Sequence, residues 1–321
     1  MKLWIKGATC PEAIARWRAV PLLVAIMMLG ASTAVAQQKP AGPQHFASPE
    51  AAVDALIAAV RANNESKLLA IFGPQSRAVI GSGDPVRDKS DRAAAVAAYD
   101  AAHKIERKGD KATLVIGQDD WPFAIPIVKR GEAWVFDAQA GADELLSRRI
   151  GRNELDTIKT CEAYVDAQFD YVEKDRNGDG IREYAQRFLS SPGKHDGLFW
   201  EQQAGEEESP LGPLIVNARA EGYTGDPKKD QRTPYHGYYF RILKGQGKNA
   251  AGGAYSYLAN GRMIGGFALV AYPADYGRSG IMTFIVNQTG VVYQKDLGPS
   301  TAKVASTMVL YDPDGTWLKT E

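Results

Sequence analysis

The chain has 321 residues, 45% of them hydrophobic, with 38 Lys and Arg against 38 Asp and Glu and two cysteines. Zero formal net charge, with no clustered Lys/Arg run, argues against nucleic acid or an anionic membrane surface as a partner. So few cysteines exclude a disulfide-stapled scaffold, and a hydrophobic core has to hold the fold.

Lys2, Lys6, Arg16 and Arg18 give a positive start, the run 20–29 is apolar, and Ala34-Val35-Ala36 supplies the small residues a signal peptidase reads. A signal peptide over residues 1–36 is predicted, cleaved after Ala36, which implies a periplasmic or secreted protein. The apolar run is shorter than the roughly 20 residues that span a bilayer, so no transmembrane anchor is expected after cleavage. Cys10 precedes that run and is no candidate for lipidation. Cleavage leaves 285 residues, 34 basic against 37 acidic, and Cys161 as the single thiol. Cys161 falls on the apolar face of a predicted helix, where a buried structural thiol is expected.

Residues 37–47, with Pro40 and Pro43, read as a linker. Ser48-Pro49-Glu50 is a helix start: a capping hydroxyl, proline in the first turn, and an acid on the positive end of the dipole. Val53, Leu56, Ile57 and Val60 form its buried stripe. A second short helix carries Leu68, Leu69, Ile71 and Phe72 and stops at Gly73-Pro74. A third is predicted over 91–103, then strands over 112–116, 123–128 and 133–136 with a turn at 129–132. A closing helix over 141–149 and a hinge at Ile150-Gly151-Arg152 complete an N-terminal α+β domain, 48–150. Helices followed by an antiparallel meander, with a last strand of the form basic-Gly-x-x-Trp-x-hydrophobic-Asp, resemble the nuclear-transport-factor-like cone fold. That resemblance implies either a pocket between helix and curved sheet, able to take a small apolar ligand, or an ordinary packed core.

Asn153 is placed to cap the next helix, with Asp156 at the reciprocal position. Ile158, Cys161, Val165, Phe169 and Val172 then recur at steps of three and four. A polar turn follows, and a second helical run is expected through Tyr184 and Phe188. Residues 191–233 form a long Gly- and Pro-punctuated excursion, with Leu198-Phe199-Trp200 expected to be pinned to the core. Strands are predicted over 238–243, 255–258, 263–272, 281–286 and 291–293, then a short helix near Ala302 and a turn at Asp312-Pro313-Asp314-Gly315. This second α+β domain, 153–321, is a long helix on an antiparallel meander. With Phe-Ala-Leu-Val-Ala-Tyr-Pro, Tyr-Gly-Arg-Ser-Gly, Thr-Phe-Ile-Val and Thr-Gly-Val-Val-Tyr, it resembles the soluble part of type IV pilins and pseudopilins. It departs from them in having no hydrophobic helix before Glu154 and no prepilin processing site. Through Arg148-Arg149-Ile150-Gly151-Arg152-Asn153-Glu154, Tyr184-Ala185-Gln186 and Gly237-Tyr238-Tyr239-Phe240, the exported chain resembles a bacterial envelope family, domain of unknown function 2950. That resemblance implies no activity and no cofactor.

Two places are candidates for chemistry. Asp175, Asn177 and Asp179 occupy positions 1, 3 and 5 of an EF-hand-type loop, with Gly180 at the turn, the Ile181 carbonyl at 7 and Glu183 at 9, a possible Ca²⁺ site. Gln186 stands where a bidentate Glu belongs. The alternative is a solvated turn whose side chains cap their own backbone. His195 and Asp196, with His236, are the acid/base candidates for an envelope hydrolase, provided that they meet a nucleophile or metal. No catalytic signature supports them, so the reading favours a non-enzymatic accessory protein that binds an envelope protein or a small ligand, with a pilus-like structural role as a third option.

Overall fold

The structure, a computed structural model, describes residues 42–223 and 233–320. The predicted signal peptide, its cleavage site and part of the 191–233 excursion lie outside the described residues. The class is α+β, as the element order implies.

Helix α1, Pro49–Arg61, begins where Ser48 accepts the Ala51 amide, and α2, Glu65–Phe72, where Asn64 accepts that of Lys67. Gly73, at φ 90, ends α2. A 3-10 turn at Pro74–Ser76 and the short α3, Arg77–Ile80, lead to α4, Pro85–Ala101. That helix starts six residues earlier than the sequence suggests, because Asp84 caps it by accepting Val86 and Arg87 amides ahead of Pro85. It ends before His103, which pairs with Ile116 as the first residue of an unforeseen strand, β1, His103–Lys108. The first sheet runs β1-β2-β4-β5, with β2 Lys111–Ile116, β4 Ile127–Arg130 and β5 Ala133–Phe136; the two-residue β3, Trp121–Pro122, also pairs with β2. Of the strand expected over 123–128 only Ile127 and Val128 are in a strand, β4; residues 123–126 connect β3 to β4.

Helix α5 is the spine. It runs unbroken from Ala138 to Val172, 35 residues and about 52 Å. The expected hinge at 150–152 is not there, and Asn153 does not cap a helix. Asp137 is the cap, accepting the Ala140 amide. Asn153 is fully buried and its Nδ2 donates to the Ser279 carbonyl at 2.9 Å, a partner 126 residues away in the chain. Once α5 is running, nothing obliges Asn153 to act locally, and the helix carries through both expected domains. Among the described residues, no helix is long and apolar enough to cross a membrane.

The segment through Tyr184 and Phe188 is not helical either. Gln168, from α5, accepts the Ala185 amide at 2.8 Å and donates to the Ala185 carbonyl at 2.9 Å, while the Tyr184 amide donates to Met263. Those long-range partners hold the backbone extended. Beyond it Leu198, Phe199 and Trp200 are buried, as expected, and α6, Gly212–Glu221, lies within the excursion. Strand β6, Tyr238–Leu243, is followed by four two-residue pieces that form two hairpins, β7 Gly245–Gln246 with β8 Tyr255–Ser256, and β9 Leu258–Ala259 with β10 Arg262–Met263. The second sheet has the order β14-β13-β12-β11-β6, with β11 Ala268–Pro273, β12 Met282–Asn287, β13 Tyr293–Asp296 and β14 Leu318–Lys319. With α5 and α7, Thr301–Thr307, both packed on β11, every residue of that strand is buried. Cys161 and Tyr164 join this second core, and burial pushes both the thiol and the phenol up.

Candidate functional site

Between α1, α2, α4, the first sheet and the N-terminal part of α5 lies a cavity of about 630 Å³, within the ~300–1,000 Å³ of ligand pockets. Leu56, Ile57 and Val60 wall it from α1, Leu68 and Phe72 from α2, Leu114 and Ile116 from β2, and Phe123 and Ile125 from the segment between β3 and β4. The cause of the space is local. Helix α4 has Ala93-Ala94-Ala95-Val96-Ala97-Ala98 through its middle, and of these Ala94 and Ala95 face the cavity. A helix bearing methyl groups there leaves volume that Leu or Phe would fill.

The edge is ionic. Asp88, Asp91 and Arg92 come from α4, and Arg148, Arg149 and Arg152 from α5. The spacing 148, 149, 152 puts these three on adjoining positions of one helix face. Arg152 pairs with Asp91 and Arg92 with Glu65. Arg148 donates to Glu144 at 2.6 Å and its guanidinium lies 4.9 Å from the centre of the Trp121 ring, which is 57% exposed. Arg149 differs: Nη1 donates to the carbonyls of Ala78 (3.0 Å) and Gly81 (3.3 Å), and Nη2 to that of Val79 (2.7 Å). Among the described residues it has no carboxylate within ion-pair distance. Burial lowers its pKa, against which Asp88 and Asp91 act, yet an arginine stays charged in proteins. Asp88 has its own donor, the Ser82 amide at 2.9 Å.

The three acid/base candidates are not assembled into one site. His195 stacks on Trp200 with ring centres 4.2 Å apart, its Nε2 3.9 Å from Glu206. Asp196 accepts the amide and hydroxyl of Ser191 at 2.6 and 2.8 Å. Burial opposes its ionisation, but those bonds, with Arg187 and Lys194, hold its carboxyl below the ordinary value. His236 sits apart from both in its contacts. Its Nε2 lies 2.6 Å from Glu221, its Nδ1 is 3.4 Å from Asp156 without a hydrogen bond, and its ring stacks on Tyr235. Among the described residues no hydrogen bond or ion pair joins His236 to His195 or Asp196.

His236 and Gly237, at φ 49 and 78, form the two-residue turn between Tyr235 and Tyr238, whose backbones exchange both hydrogen bonds. The turn is docked by Asp84: one carboxylate oxygen caps α4, and the other accepts the Tyr223 hydroxyl (2.8 Å) and the Gly237 amide (2.9 Å). Burial and the Asp84 charge push the Tyr223 phenol up, so it stays a donor. Arg87 reaches Asp156 at 3.3 Å, and Arg278 donates to the Gly81 carbonyl at 2.7 Å. Residues 78–88 are thus tied to α5, α6 and the second sheet at once, in an arrangement that positions the cavity's edge.

The EF-hand-type loop is folded on its own backbone. Asp175 accepts the amides of Gly180 (2.7 Å), Gly178 (2.9 Å) and Asn177 (3.2 Å), which lower its pKa. Asp179 is held by the Arg262 guanidinium, which lowers its pKa in turn, and accepts the Ile181 amide. Asn177 donates to Glu183, and Gln186 donates to the Gly261 carbonyl. Among the described residues no three His, Cys, Asp or Glu side chains gather in a metal-holding group. A cation here would have to displace Arg262 and compete with three amides.

Sequence reasoning offered a pocket between helix and sheet only as one of two implications of the cone-fold resemblance, and named Arg149 only within the run 148–154, with no role. The available signals were the alanine run in α4 and the three arginines on one face of α5. A family model described as a protein of unknown function, DUF2950, matches residues 43–320. No curated protein and no solved structure matches the chain. The match covers most of the chain, which therefore belongs to that family.

Proposed function

We propose that this member of the DUF2950 family is an exported, non-enzymatic accessory protein of the bacterial envelope that binds a small, largely apolar ligand between α1, α4 and the first sheet. One observation carries the reading: a cavity of about 630 Å³ with apolar walls from four elements, beside a second core of buried side chains. The leader-like first 36 residues support export. The scatter of His195, Asp196 and His236 over separate partner sets favours binding over hydrolysis.

The test is to purify the protein from its own cells without denaturation, extract it with organic solvent and identify what is released. A small amphiphile at up to one per chain is expected, lost when Ala95→Phe closes the cavity. The same molecule retained at the same ratio in Ala95→Phe would place the site elsewhere and end this reading. Recovery from the periplasmic or secreted fraction with Gln37 as first residue is expected; a cytoplasmic protein that begins at Met1 would contradict export.

A further inference from the structure

Resting on that reading, we infer that the cavity is specific for an anionic amphiphile: one hydrophobic chain inside, and a carboxylate or phosphate head at the arginines of α5. The lining has a built-in polarity. Its inner wall is Leu56, Leu68, Phe72, Leu114 and Ile125, whereas every ionic group in the lining comes from α4 or α5. In the lining four arginines stand against two aspartates, and Glu65 and Glu144, which pair with two of those arginines, bring the carboxylates to four. Three of the arginines spend charge on carboxylates, Arg92 on Glu65, Arg148 on Glu144 and Arg152 on Asp91. Arg149 does not.

The three carbonyls that hold Arg149 belong to Ala78, Val79 and Gly81, at the end of α3. They account for its orientation, since a guanidinium satisfies the last carbonyls of a helix well. They leave its charge without a contacting carboxylate among the described residues, offset only at longer range by Asp88 and Asp91. A positive charge fixed beside apolar walls favours an anion more than it would in water, because the local dielectric is lower. A neutral head gains only a dipole there, and a cationic head is repelled. Asp88 would oppose an anion, but its carboxylate is turned to the Ser82 amide through both oxygens. Arg148, stacked on the exposed Trp121, lies on the same α5 face, but its charge is already shared with Glu144, so Arg149 is the cation that sets the preference.

Titration calorimetry of the purified, delipidated protein with a matched-chain series decides the matter. Dodecanoate and dodecyl phosphate carry the two anionic heads, dodecanol a neutral one and dodecyltrimethylammonium a cationic one; acetate and inorganic phosphate carry the head without the chain. Dodecanoate or dodecyl phosphate is expected to bind at least tenfold more tightly than dodecanol, with the cation weaker still and the short anions below detection. The stronger of the two anions identifies the head. Arg149→Gln is expected to erase the preference while dodecanol binding persists; should that variant not fold, the series on the unaltered protein still decides. Equal affinity for dodecanoate, dodecyl phosphate and dodecanol would overturn the anionic specificity and leave the cavity reading intact. Acetate or phosphate binding as tightly as the long-chain anions would also overturn it. No binding by any member would overturn both.

Discussion

One helix serves two cores, and the two are finished differently. Along its C-terminal half α5 presents Cys161, Tyr164, Val165, Ala167 and Tyr171 to a closed interior, where the Tyr164 ring meets Phe188 and Phe267 edge-on and its hydroxyl donates to the Ala268 carbonyl. Along its N-terminal half it faces α4, which offers Ala94, Ala95 and ionic side chains, and about 630 Å³ stays open. Apolar residues are not scarce there: α1, α2 and β2 supply Leu and Ile in plenty. The opening comes from small side chains on one helix alone. Space of this kind is a matter of which face is left short, not of how hydrophobic a region is.

Substitutions sharpen that contrast. The largest loss is expected for Tyr164→Ala, which empties the filled core and should cost about 3–5 kcal/mol in chemical denaturation. Asp84→Ala comes next: it strands the buried Tyr223 hydroxyl and Gly237 amide and uncaps α4, for about 3 kcal/mol. Phenylalanine separates the two regions most directly. Ala167→Phe, in the filled core, should cost about 1–3 kcal/mol, whereas Ala95→Phe should cost less than about 1 kcal/mol because its ring enters existing space. Equal costs at the two sites would mean that the cavity is not open in solution.

The smallest effect is the acid limb. Asp175 and Asp179 have folded pKa values below the ordinary value, held there by the Gly180 amide and by Arg262 respectively. The unfolded chain then binds protons more readily, so their contribution is present above about pH 3.9 and fades as pH falls through the folded values. Both groups are exposed, so the change is small. Arg262→Ala should flatten the decline in midpoint between pH 5 and pH 2.5; an unchanged decline would show that the pair contributes nothing.

What could be read beforehand was whatever a residue does with its neighbours in sequence. Ser48-Pro49 starts a helix and Gly73 ends one because caps and left-handed turns are local, and the apolar run of β11 announces a buried strand. The errors fall where a distant partner prevails over a local preference. Asn153 looks like a cap but bonds Ser279, and the 184–188 segment looks helical but is claimed by Gln168 and Met263. The cavity was only one of two readings of a resemblance for another reason: the shortfall lies in α4, and only packing reveals that α4 fails to fill what α1 and β2 enclose. Arg149 shows both limits. Its place in the arginine cluster is plain in the chain, while its lack of a carboxylate emerges only when 78–81 folds back onto α5.

The central claim is that the space beside α4 is a ligand site, and methyl-resolved NMR of the isotope-labelled protein titrated with dodecanoate tests it most directly. The account predicts saturable shifts at the methyls of Leu56, Ile57, Leu68, Leu114, Ile116 and Ile125, with Leu243, Leu269 and Ile285 unmoved, and no shifts in Ala95→Phe. Shifts centred on the second core, or unchanged in Ala95→Phe, would contradict it.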